Sequence, residues 1–93
     1  MSDKKCVQLE IMINNPSGLH ARPASLFVKT ASSFKSDILV EKDGEEVNGK
    51  SIMALLMLAA GLGTKLRVSA IGEDCDKAVD AIRELAEKKF HEE

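Results

Sequence analysis

One histidine in the chain stands in a setting suited to chemistry. His20 lies in the run Gly18-Leu19-His20-Ala21-Arg22-Pro23. A neutral imidazole is a nucleophile. Arg22, two residues on, offers a fixed positive charge and a planar fork of donors that matches phosphate. Pro23 is tolerated in a first helical turn, where N–H groups have no intrahelical partner. The run therefore predicts a helix starting near Ala21, with His20 at or beside its N-cap. Free N–H groups and the positive end of the helix then lie beside the ring, where an anion is held well. Two readings stand side by side. His20 carries a phosphoryl group held by Arg22 and the helix end, or it is an exposed residue that helps to cap a helix.

The elements that must position this run are legible from periodicity. A strand leads in over about Cys6 to Ile13, with Val7, Leu9, Ile11 and Ile13 on one face and Gln8, Glu10 and Asn14 on the other. Asn14 to Gly18 break it. The first helix is expected over about Ala21 to Ser33, with Ala24, Phe27, Val28 and Ala31 on its apolar stripe and Leu26 beside it. Ile38 and Val40 alternate with Asp37, Leu39 and Glu41 in a second strand. Asp43-Gly44 predicts a hairpin into a short third strand, about Glu45 to Asn48.

A second helix is expected over about Ile52 to Ala60, capped by Ser51 and ended by Gly61 and Gly63. A fourth strand, about Lys65 to Ile71, places Leu66, Val68 and Ala70 inward. The last helix follows an acidic turn in which Asp74 is the expected cap, and runs to about Lys89. Its inner stripe is Ala78, Ile82, Leu85 and Ala86. Alternating strands have one buried face, so an antiparallel sheet with helices on one side is the expected α+β packing. The first five residues are polar and are expected to fray.

The second helix is apolar nearly all round. Leu55, Leu58 and Ala59 form a stripe that can face a core, which leaves Ile52, Met53, Leu56 and Met57 at or near the surface. An exposed apolar patch rich in Met suits protein docking; deeper burial of the helix is the other reading.

Composition narrows the class. The 93 residues predict one small domain, 1–93. A net charge of −2 argues against a nucleic-acid partner, and three Phe with no Trp or Tyr argue against a base-stacking surface. Cys6 and Cys75, with no secretory leader ahead of them, are expected to be free thiols. They form no metal-type cluster, so no metal and no cofactor is expected. No apolar run is long enough for a bilayer, so no membrane partner is expected and the expected compartment is the cytoplasm.

The stretch Gly18 to Ser25, GLHARPAS, resembles the phosphorylation site of the HPr family, histidine-containing phosphocarriers of the bacterial phosphoenolpyruvate-dependent sugar phosphotransferase system. Asn48-Gly49-Lys50-Ser51-Ile52-Met53 resembles the family's regulatory serine site. Order and separation agree, and the resemblance covers nearly the whole chain. Ala54 and Ser25 depart from common family choices.

The resemblance implies an open-faced β-sandwich, a four-stranded antiparallel sheet with three helices on one face in the order βαββαβα. It implies a carrier rather than an enzyme: His20 takes a phosphoryl group on Nδ1 from enzyme I and passes it to sugar-specific IIA components. It implies docking through the second helix, with Ala21 and Ser25 added to the patch and Lys29 and Lys50 as rim residues or ordinary surface lysines. It implies an HPr kinase/phosphorylase acting on Ser51, in hosts that have one, and a monomer. The alternatives are the nitrogen-linked paralogue and a regulatory HPr-like binding protein. The known regulatory form lacks the phosphorylatable histidine, which this chain has.

Overall fold

The computed structural model describes residues 5–91. Its elements are β1 (Cys6–Met12), α1 (Ala21–Ser32), β2 (Asp37–Lys42), β3 (Glu45–Asn48), α2 (Ile52–Met57), β4 (Lys65–Ile71) and α3 (Cys75–Glu87). A 3-10 turn, Lys89–His91, follows. The sheet order is β1-β4-β2-β3, antiparallel throughout. Three helices cover one face, giving the open-faced sandwich.

Period-two patterning explains the register. Leu9, Val68, Val40 and Val47 stand side by side across four strands, and Ile11 pairs Leu66. This face meets Ala24, Phe27 and Ala31 of α1, Leu55 of α2, and Ala78, Val79, Ile82 and Leu85 of α3, all buried. A side chain such as Phe27, fully enclosed, contributes on the order of 1.5–3 kcal/mol by leaving water. The other face is solvated. There Arg67 sits 3.9 Å from Glu41, and Gln8 Nε2 donates to Ser69 Oγ at 3.3 Å.

The hairpin signal holds: Asp43 and Gly44 both take positive φ, 49° and 86°. Other boundaries differ from expectation. β1 ends at Met12, but Ile13 stays fully buried and exchanges backbone bonds with Thr64 and Gly63. α1 ends at Ser32, with Ser33 as its cap.

α2 stops at Met57, three residues before the expected end, and Gly61 is not the terminator. Ala59 takes that part with φ 54°, at a cost of roughly 1–2 kcal/mol for a residue with a Cβ. The Lys42 ammonium offsets some of this, donating to the carbonyls of Leu58 and Ala59 at 2.9 and 3.3 Å. Ala59 is therefore exposed rather than core-facing, and Ala60 is buried in its place.

α3 also ends earlier than expected, at Glu87. Lys89, Phe90 and His91 then take left-handed φ of 53°, 55° and 61°, which turns Phe90 into the core at 2 % exposure. Asp74 occupies the N-cap position, yet its side chain makes no cap bond. It accepts instead from the Lys35 and Ser36 N–H groups at 2.8 and 2.9 Å and from the Ser36 hydroxyl. Residues 1–4 lie outside the described residues. Lys5 is not frayed: its carbonyl accepts from Gly72 N–H at 2.9 Å and its ammonium pairs with Asp76 at 3.1 Å.

Candidate functional site

The chain from Asn14 to His20 crosses from the end of β1 to the start of α1. Gly18 takes φ 71°, a conformation glycine reaches without a Cβ penalty. Leu19 is buried at 4 % exposure, and its N–H donates to the Ala60 carbonyl at 2.7 Å. The loop is thus fastened to the segment that follows α2. Leu19 faces inward, and His20, next in line, is left outside.

His20 is the N-cap of α1, with extended φ and ψ of −89° and −168°. Its carbonyl accepts from Ala24 N–H at 2.8 Å, the first bond of the helix, and its side chain makes no cap bond. The exposed ring stands at the rim of a shallow depression of about 400 Å³ formed with Ser17, Leu19, Leu56, Ala59, Ala60 and Gly61. The first-turn N–H groups of Ala21 and Arg22 point along the axis toward the cap. Pro23 has no N–H and is buried, so it starts the helix without leaving an unmet donor. Arg22 is exposed and enters none of the ion pairs among the described residues. Its guanidinium keeps its donors available to an oxyanion.

The other expected residues fall in two groups. Ile52, Met53, Leu56 and Met57 are exposed at 39 %, 72 %, 38 % and 76 %. Ala21 and Ser25 are exposed on the first turns of α1, and α1 packs beside α2. The depression brings Leu56 to His20, so the apolar face of α2 begins at the histidine. Lys29 is exposed in the last turn of α1. Lys50 is engaged by the fold: it is half-buried, and its ammonium donates to the Phe34 carbonyl at 2.9 Å.

Ser51 caps α2, its hydroxyl accepting from Ala54 N–H at 3.2 Å. It borders Ile52 and Met53, so a group added to its oxygen stands at the edge of the exposed apolar face.

Three features escaped the pattern. Asn15 is fully buried beneath the loop; as a strand breaker it gave no sign of a packing role. Leu62, exposed at 65 %, adds apolar surface in the segment after Gly61. Lys42 stands beside the Asp43-Gly44 turn with nothing in the pattern to mark it, and only the three-dimensional closeness of β2 to the end of α2 reveals its part. Cys6 is exposed and Cys75 buried, both free thiols. Among the described residues no three His, Cys, Asp or Glu side chains gather around a possible metal, and no helix is long and apolar enough to cross a membrane.

Comparison with known proteins agrees with this geometry. A family model described as the PTS HPr component phosphorylation site matches residues 7–88. The phosphocarrier protein HPr of Pseudomonas aeruginosa is 47% identical over 85 residues, 90% of this chain and 94% of that protein. The HPr-like protein Crh of Bacillus subtilis is 46% identical over 76 residues, 82% and 89% of the two chains. The crystal structure of HPr-C-His from Thermoanaerobacter tengcongensis superposes with a TM-score of 0.91 at 49% identity, covering 94% of this chain and 98% of that one.

Proposed function

The chain belongs to the HPr family, the phosphoryl carriers of the phosphotransferase system, and we propose that it carries its phosphoryl group on His20. It is a carrier and not an enzyme. The observation that supports His20 is its place: an exposed imidazole, engaged in no cap bond, set over the N-terminus of α1.

The ring nitrogen Nδ1 attacks the phosphorus of a phosphorylated donor, and the donor's group departs with the bonding electron pair. An acceptor nucleophile later attacks the same phosphorus and releases the ring. The phosphoryl oxygens are held by the Ala21 and Arg22 N–H groups and by the Arg22 guanidinium. Such charge-assisted bonds act at short range and offset the negative charge gathered on the transferring group. The protein needs no metal or cofactor of its own for this.

The donor is enzyme I and the acceptors are sugar-specific IIA domains. They dock on the apolar face made by Ile52, Met53, Leu56 and Met57, with Ala21 and Ser25 beside His20 and Lys29 at the rim. Lys50 lies next to Ser51, its ammonium held by Phe34. Ser51 is the regulatory site for an HPr kinase/phosphorylase. Residues 1–93 act as one such domain, a cytoplasmic monomer. Incubation with enzyme I, phosphoenolpyruvate and magnesium, followed by peptide mapping at alkaline pH, tests the site. The expected result is one acid-labile phosphoryl group on the peptide that contains His20. A stable modification on another residue overturns the assignment.

A further inference from the structure

We propose that Asn15 is a positioning residue for phosphoryl transfer, holding the Gly18 carbonyl and through it the backbone of His20. The proposal rests on His20 being the acceptor.

Asn15 is a buried polar residue with 0 % exposure. Its Nδ2 donates to the Gly18 carbonyl at 2.8 Å, while Gly18 N–H donates back to the Asn15 carbonyl at 3.1 Å. The same Gly18 oxygen accepts the N–H of His20 at 2.9 Å. Two donors, one from the buried amide and one from the exposed histidine, therefore meet on a single oxygen. Between them Leu19 is fixed to Ala60. Rotation of the Gly18 peptide would break both bonds on that oxygen, so the amide sets where the N-cap stands.

Burying an amide costs free energy unless its groups are bonded. A small apolar side chain would fill the space under the loop without that cost. An amide cannot carry the phosphoryl group or charge the site. What it supplies is direction: a planar donor that fixes one carbonyl. Transfer to a ring nitrogen needs the nucleophile aligned with the phosphorus, and a displacement of about 1 Å can cost on the order of a hundredfold in rate.

The test compares wild type with Asn15→Asp and Asn15→Ala. Asp keeps the shape and removes the donor, setting a carboxylate oxygen against the Gly18 carbonyl. Ala removes the whole group. Melts first establish a temperature at which all three are folded. Amide NMR spectra are then recorded beside steady-state phosphorylation by enzyme I.

The expected result is displaced amide resonances for Gly18, Leu19 and His20, with those of Val79 and Ile82 in place. With it comes a fall of about tenfold in kcat with KM changed less than twofold, since the loss lies in alignment and not in docking. Lowering the pH should restore part of the Asn15→Asp rate relative to wild type, because a carboxylic acid regains an O–H donor for Gly18. Asn15→Ala should show no such recovery. A wild-type kcat in both folded variants overturns the proposal, as does a loss confined to KM or one that tracks the unfolded fraction. Failure of His20 itself is seen separately, as a wild-type protein that takes no phosphoryl group at that residue.

Discussion

Gly18 and Ala60 approach so closely that no side chain fits between them. A Cβ on Gly18 would lie 2.8 Å from the Ala60 carbonyl oxygen and 2.9 Å from the Gly61 Cα, both backbone atoms that cannot swing aside. Gly18 also sits at φ 71°. The loop before His20 and the segment after α2 are thus one unit, and the histidine inherits its position from both.

Gly18→Ala should therefore lower stability by roughly 1–3 kcal/mol, from left-handed strain and the backbone clash together. His20 should move with the loop, so phosphorylation should slow by more than the loss of folded protein explains. A thermal melt beside phosphorylation kinetics checks both. An unchanged melting temperature would contradict so close an approach of Gly18 to Ala60 and Gly61.

The site was legible where local signals and the fold agree. His20, Arg22 and Pro23 announce an N-cap because proline belongs in a first turn and the glycine ahead of it turns the chain. β4, expected over about Lys65 to Ile71 and found at Lys65–Ile71, is legible because Leu66, Val68 and Ala70 alternate without interruption. The end of α2 was not legible. Ala59 carries no signal for left-handed φ, and Gly61 two residues later looked like the terminator. What holds Ala59 is a lysine 17 residues earlier and a loop earlier still. Asp74 stands at the expected cap position, but the partners of its side chain were not legible for the same reason: they lie at the α1–β2 connection. Phe90 was missed because the turn that buries it is three left-handed residues long, a form no helical pattern predicts.

Lys42→Met tests the long-range cap on α2. The variant keeps the stem and loses the charged donor to Leu58 and Ala59. The expected cost is about 1–2 kcal/mol. The turn that ends α2 should also loosen, seen as faster amide exchange at Leu58 and Ala59. Full stability in Lys42→Met would leave the Ala59 conformation unexplained.

Asp74 gives the protein an acid-sensitive joint. Its carboxyl is lowered from the usual 3.8 to about 2, first by the Ser36 hydroxyl and then by the Lys35 N–H. A carboxyl with a depressed folded pKa binds fewer protons when folded, so its stabilising effect is complete above the unfolded value. It is lost as pH falls from about 4 toward about 2. Asn at this position cannot ionise. The melting temperature of Asp74→Asn should therefore be lower than wild type at neutral pH, and the gap should close in that acid window. A gap that stays constant with pH would show that the charge of Asp74 is not what joins the two connections.

Ser51 has a structural part that its proposed regulation must act through. Ser51→Ala removes the bond to Ala54 N–H and should cost about 1 kcal/mol. Ser51→Asp keeps a cap acceptor and adds charge at the helix N-terminus, so it should be at least as stable as wild type. The same charge must be desolvated if a partner covers Ile52 and Met53. A phosphate there should weaken docking by about ten- to a hundredfold, seen as a higher KM for enzyme I, and Ser51→Asp by a smaller factor. Unchanged kinetics for Ser51→Asp would remove Ser51 from the docking edge and leave it a plain cap.

The proposed phosphoryl carrier is one exposed imidazole, that of His20. The most direct measurement is the intact mass of wild type and His20→Ala after incubation with enzyme I, phosphoenolpyruvate and magnesium. His20 is exposed and its side chain caps nothing, so the variant should fold and melt as wild type does. Wild type should gain the mass of one phosphoryl group, lost again in acid, and folded His20→Ala should gain none. A phosphoryl group on the alanine variant would contradict it.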